Sequence, residues 1–141
     1  MVNCESTTRR SNLRKEGHHA TLLDALRAHG VRLGIISDGP LTSQSAKVQA
    51  LALAPWMDVV VLTDAWGRDY WKPHPRAFEH VARTLGLPPT QLLYVADNPE
   101  KDFVAPRRLG WDTVRLRLPG QLRNEAAPPT GAHAPAGEAA S

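Results

Sequence analysis

The chain is short of several things, and each shortage narrows what it can be. One cysteine, Cys4, in 141 residues leaves no disulfide framework and no cluster of thiolates for a metal, which fits a reducing, cytoplasmic compartment. No apolar run approaches the roughly 18 to 20 residues that a membrane span needs, so no membrane partner is expected. Arg9, Arg10, Arg14 and Lys15 near the N-terminus precede no greasy stretch, which is not the layout of a secretory signal. Nor is charge of one sign concentrated anywhere. The formal net charge of +3 divides into +2 over residues 1–17, +3 over 18–123 and −2 over 124–141. Binders of a phosphate backbone usually gather their basic residues on one stripe, so nucleic acid is not an expected partner. Carboxylates are scarce early on: only Glu5, Glu16 and Asp24 come before Ser37.

What remains is one domain of ordinary composition, 42% apolar and 22% charged. Residues 123–141 are rich in Ala, Pro and Gly with no large apolar side chain, so they cannot offset the entropy of ordering them and are expected to be disordered. Residues 1–17 show no period and read as a flexible basic arm. Between them, 18–122 alternate helical and strand patterns. TLLDALRAHG has Leu22, Leu23 and Leu26 at helical spacing and closes on a glycine, VRLGIIS is a short apolar run, and LTSQSAKVQALALA is helical again. DVVVLT and LLYVAD are further apolar runs, read with the first as strands buried on both faces. A helix with Phe78, Val81, Ala82 and Leu85 on one side lies between those two. In DTVRLRL, Val114, Leu116 and Leu118 alternate with Arg115 and Arg117, which predicts a strand with one wet face at the edge of the sheet. The alternation predicts an α/β fold: a three-layer, Rossmann-like, mainly parallel sheet flanked by helices. Ligands of such sheets bind beyond the carboxyl ends of the strands. Ser37 and Asp38, Thr63 and Asp64, and Asp97 and Asn98 stand there.

Three short segments could carry chemistry. In IISDGP, Ser37, Asp38 and Gly39 put a hydroxyl and free backbone N–H groups around one point, suited to an oxyanion or phosphate, or simply cap a turn. In WKPHP, Lys72 is held by Pro73 and Pro75 in a stiff extended segment before a helix, as a functional cation or as a surface lysine. In VADNPEKDF, Asp97 ends a strand and Asp102 follows five residues later, either a hard-cation site of the kind Mg²⁺ takes or a capping arrangement. His74 is a spacer between two prolines that touches substrate or merely neighbours a helix start. Trp66, Tyr70 and Trp71 wall a pocket or pack the loop onto the sheet. His18 and His19 have no partner carboxylate at ligand spacing, and Cys4 has no positioned base.

In order and spacing, Ser37 after one strand, Lys72 before a later helix and Asp97-x-x-x-x-Asp102 after the next strand resemble motifs two, three and four of the haloacid dehalogenase (HAD) superfamily. KPHP with Phe78, and YVADNPEKDF with the RRLGW that follows, resemble its phosphatase-type members. The resemblance covers about residues 20–118. It implies Ser37 on the transferring phosphoryl oxygens, with Asp38, Gly39 and Asn98 beside it. It further implies Lys72 neutralising charge, Asp97 on Mg²⁺, and Asp102 orienting Lys72 and the metal's waters. A small phosphorylated substrate is implied, since positioning and charge stabilisation do most of the work in phosphoryl transfer.

One part of the pattern is missing. The family's motif one, D-x-D, supplies the aspartate that attacks phosphorus and a second that serves as acid and base, and no two of Glu5, Glu16 and Asp24 form it. The sheet is therefore expected to lack its central motif-one strand. The two neighbouring strands must then pair directly, take a strand from elsewhere, or leave buried polar groups unpaired at about 1–3 kcal/mol each. The expectation is a truncated phosphatase core of marginal stability, inactive by itself. The alternative is a non-catalytic phosphate-binding or regulatory module acting through a protein partner that completes the sheet.

Overall fold

The computed structural model describes residues 2–3, 16–121 and 125–140. Its centre is a six-stranded, wholly parallel sheet: β1 (Val2–Asn3), β2 (Gly34–Ser37), β3 (Val59–Leu62), β4 (Leu93–Ala96), β5 (Asp112–Arg117) and β6 (Gly137–Ala140), in the spatial order β3-β2-β1-β4-β5-β6. The helices are α1 (Glu16–Ala28), α2 (Leu41–Ala50), α3 (Arg76–Leu85) and α4 (Val104–Arg108). Strands and helices alternate along the chain, as the periodicity predicted, because parallel neighbours must be joined by crossovers long enough to hold a helix.

The core lies where α3 meets the sheet. Phe78, Val81 and Leu85 recur at helical spacing and are buried with Ala77 against Ile36, Val59, Val61, Tyr94 and Ala96. The Phe78 ring stands edge-on to Tyr94 at 4.9 Å and to Trp111 at 5.6 Å, a geometry that aromatic quadrupoles favour. The helix stops at Gly86, whose φ of +63° lets its N–H turn back to the Ala82 and Arg83 carbonyls. Of the three strands expected to be buried on both faces, β2 alone is. Val60 on β3 and Leu93 on β4 are exposed, since β3 is an outer strand and a side chain one residue on always points to the opposite face.

Three expectations change. The central place is not vacant: Val2 and Asn3 pair with Ile35 and Ile36 of β2, and Val2 also with Val95 of β4. Two strands facing each other across a gap present rows of unmet N–H and C=O groups, and even two residues of extended chain satisfy some of them. The rest of the arm expected at 1–17 lies outside the described residues, except that 16 and 17 already belong to α1. The tail expected to be disordered from 123 onward carries β6, which pairs residue for residue with β5 from Val114 to Arg117. Little apolar surface holds it. The Ala136 N–H donates to Thr113 Oγ1 at 2.8 Å, Arg107 donates to the Gly131 and Ala134 carbonyls at 3.0 and 2.6 Å, and Glu138 faces Arg115 and Arg117 at 3.5 and 3.4 Å. Hydropathy cannot register contacts of that kind. Consequently β5 is not an edge, and its alternation runs the other way: Thr113 and Arg115 are buried while Val114 and Leu116 are partly exposed.

Candidate functional site

The carboxyl ends of β2, β3 and β4 converge, and all three sequence segments meet there. Ser37 ends β2 and is completely buried, its hydroxyl donating to Gln44 Oε1 at 2.7 Å. Asp38 follows, also buried, and acts as a hub. Its carboxylate accepts from Thr63 Oγ1 at 2.8 Å, from the Lys72 backbone N–H at 3.3 and 3.2 Å to its two oxygens, and from Lys101 Nζ at 3.1 Å. Thr63, at the end of β3, reaches the Ser37 carbonyl as well, at 3.2 Å. Gly39 then takes φ +126°, a conformation that side chains rarely adopt, and turns the chain into α2. The first N–H of that helix, at Leu41, donates to Asp64 Oδ2 at 2.9 Å, so a carboxylate already answers the helix terminus.

Lys72 is a buried cation, not a surface lysine. Its Nζ lies 2.7 Å from Asp102 Oδ1 and donates to Tyr94 Oη at 3.1 Å, with Asp38 Oδ2 at 4.0 Å; the side chains of Lys72 and Asp102 have no exposed area. An ammonium so enclosed is tolerable only because charge and hydrogen bonds meet it there. Asp102 Oδ2 accepts the Asn98 backbone N–H at 3.0 Å, and the Asn98 side-chain oxygen accepts from the Glu100 N–H at 3.0 Å. The turn after β4 is thus built to aim Asp102 back at Lys72.

Asp97 differs from its neighbours. It is half-buried, and among the described residues its carboxylate makes no hydrogen bond or ion pair, whereas Asp38 and Asp102 are committed to lysines. No three His, Cys, Asp or Glu side chains among the described residues converge on one point as a metal cage would. The donor set suits Mg²⁺ only in its commonest protein form, one or two carboxylates with waters and substrate oxygens completing the shell. Asp97 would be that carboxylate.

Four participants escaped the sequence reading or were left undeveloped: Gln44, Thr63, Tyr94 and Lys101. Thr63 had a signal in its place at a strand end. Lys101 lay inside the motif-four segment but read as a spacer. The aromatic loop resolves toward packing. The Arg76 guanidinium is 4.7 Å from the Trp66 ring and 4.4 Å from that of Tyr70, Trp71 Nε1 donates to Asp64 at 3.3 Å, and His74 Nδ1 accepts the Arg76 N–H at 3.1 Å. His18 and His19 lie in the first turn of α1, and Cys4 lies outside the described residues.

Known proteins resemble this chain in sequence and in fold. The chain is 34% identical over 112 residues to a glyceraldehyde 3-phosphate phosphatase of Methanocaldococcus jannaschii, covering 79% of this chain and 48% of that protein. It is 33% identical over 99 residues to the phosphoglycolate phosphatase of Escherichia coli K12, covering 70% of this chain and 38% of the relative. The chain therefore spans less than half the length of these curated relatives. Among solved structures, a HAD family hydrolase from Deinococcus radiodurans R1, crystallised with bound phosphate and sodium, superposes with a TM-score of 0.70 at 26% identity over 86% of this chain and 53% of the other. A family model described as haloacid dehalogenase-like hydrolase matches residues 15–110. By sequence and by fold, the chain belongs to the haloacid dehalogenase-like hydrolases.

Proposed function

We propose that this chain is a phosphatase-type core which binds the phosphoryl group of a small phosphorylated substrate at the carboxyl ends of β2 and β4, and that it does not turn that substrate over by itself. The observation that carries the reading is the sealed Lys72–Asp102 pair at 2.7 Å, with Asp38 beside it. A fold does not bury a lysine at a sheet mouth to hold itself together, because a buried ion pair adds little to stability over apolar side chains of the same volume. It does so to keep a positive charge, stripped of water, where negative charge will arrive. Ser37, Gly39 and Asn98 line the same mouth. Relatives named for glyceraldehyde 3-phosphate and phosphoglycolate support a small phosphorylated substrate.

In this reading Lys72 opposes phosphoryl charge, Asp102 fixes Lys72, and Asp38 with Lys101 ties the turn after β2 to the turn after β4. Mg²⁺ bound at Asp97 would draw charge from a phosphoryl oxygen. The attacking carboxylate of a D-x-D motif is missing from the sequence, which supports inactivity of the chain alone. The same absence, with a β1 of only two residues, favours a second reading: a phosphate-binding module that acts through a protein partner completing the sheet. The single cysteine is consistent with work in the cytoplasm.

Calorimetry with inorganic phosphate and an assay of p-nitrophenyl phosphate hydrolysis with Mg²⁺ test both halves. Phosphate binding that Lys72→Met abolishes, with negligible hydrolysis, is the expected result. Turnover lost on Asp97→Ala would overturn the claim of inactivity, and absence of phosphate binding would overturn the site. A stoichiometric partner whose removal aggregates the chain would select the second reading.

A further inference from the structure

β6 covers the outer edge of β5, and the side chains it brings there are small. Gly137 and Ala139 carry no group that could fill a pocket, and a Cβ built on Gly137 would meet Val114 Cγ2 at an ordinary 3.9 Å. Two kinds of contact hold the strand. Its backbone pairs in parallel with β5 from Val114 to Arg117. Its one carboxylate, that of Glu138, spans two arginines of β5, with Oε1 3.5 Å from Arg115 Nη1 and Oε2 3.4 Å from Arg117 Nη1. Just before the strand, Arg107 of α4 donates to the Gly131 and Ala134 carbonyls, and Thr113 Oγ1 accepts the Ala136 N–H. Apart from the carboxylate, these bonds use main-chain groups that any extended peptide possesses.

Arg115 decides what such a peptide must carry. Its side chain is 3% exposed, and a guanidinium cannot shed its proton to ease burial, so a carboxylate beside it is favoured over a neutral group. Arg117 adds a second cation two residues on, on the same face of the strand. The segment occupying this edge is thus itself a pattern for a ligand: extended, paired along β5, with an acidic side chain opposite Arg115. Glu138 is 42% exposed, so the strand is held by main-chain bonds and charge, contacts that another chain can take over. We propose that the edge of β5 is a docking site for an acidic peptide segment of a protein partner. The segment adds as a parallel strand with its carboxylate between Arg115 and Arg117, and β6 occupies the edge as an internal stand-in for it. The proposal does not depend on the phosphate site.

A tethered strand competes with free peptide at high local concentration, so the test weakens the tethered one. Glu138→Lys sets a third cation against Arg115 and Arg117 and should free the edge. The probe is the peptide PAGEAAS, a copy of residues 135–141, titrated into the full chain and followed by NMR. Glu138→Lys should bind it at least about fivefold more tightly than wild type, with the amide resonances of residues 114–117 shifting as it binds. The same peptide with Gln in place of Glu should bind less tightly, and adding Arg117→Gln to Glu138→Lys should reduce the gain. Resonances of β2 and β3 that match those of wild type show that the variant keeps its fold. Equal binding by wild type and Glu138→Lys, or equal binding of the two peptides, overturns the proposal. A wild-type chain that dimerises, with a Glu138→Lys chain that does not, would assign the edge to the β6 of a second copy and overturn it as well.

Discussion

Two ion pairs in this molecule have the same chemistry and different situations. Lys72 and Asp102 meet at 2.7 Å with no exposed side-chain area, joined by Tyr94 and by the backbone of Asn98. Arg117 and Glu138 meet at 3.4 Å on the surface, 35% and 42% exposed, where β6 lies along β5. The first is wrapped by the core helix and the strand ends. The second holds a tail with little apolar surface to bury. Water decides the difference. In the open it solvates both partners whether or not they touch, and dissolved salt screens them. Inside, no bulk water replaces a lost partner, so removing one charge leaves its mate poorly met.

The largest effect should come from stranding Lys72. Asp102→Ala is expected to lower unfolding stability by about 3–5 kcal/mol, read from the midpoint of a urea transition. A loss below about 1 kcal/mol would mean that the two pairs are alike after all. Removing both charges sharpens the point. Lys72→Met with Asp102→Leu should restore most of that stability, because apolar replacement of a buried pair is often neutral or better, yet phosphate binding should stay lost. Recovery of binding in the double variant would dissociate the pair from the site. Smaller again, Glu138→Ala should cost no more than about 1 kcal/mol, and less as salt is raised. Finally, amide exchange should find residues 137–140 opening well before β2 and β4, since a strand held by polar surface contacts detaches without unfolding the core. Simultaneous protection of β6 and β2 would make the tail part of one cooperative unit.

Much of the site was legible in the sequence because its chemistry sits at the ends of strands whose apolar runs are short and unmistakable. Ser37, Asp38, Asp97 and Asp102 fall shortly after such ends, where parallel topology gathers them on one side, and Lys72 stood out by the prolines that follow it before α3. Gln44 and Tyr94 were invisible for the opposite reason. Gln44 lies a turn inside a helix and Tyr94 inside a strand, where a polar or aromatic residue has the same pattern whether it faces a site or not. Their roles arise only when α2 and β4 bring them against Ser37 and Lys72.

The tail and β5 show the same limit from the other side. An Ala/Pro-rich segment was expected to stay disordered because disorder was judged from apolar surface alone, whereas β6 is held by backbone pairing and arginine contacts. Arg115 was placed on a wet face by alternation, and it is buried because that face of β5 is covered while the other is partly open. By itself the sequence determined the alternation from α1 to β5, the turns that end those elements and the absence of a D-x-D carboxylate pair, since all of these are local in the chain. The tertiary structure alone decided which carboxylates are spent on lysines and which is left over, that two residues occupy the centre of the sheet, and that a glutamine stands against the turn after β2. Those depend on which distant segments meet, and on how much water remains between them.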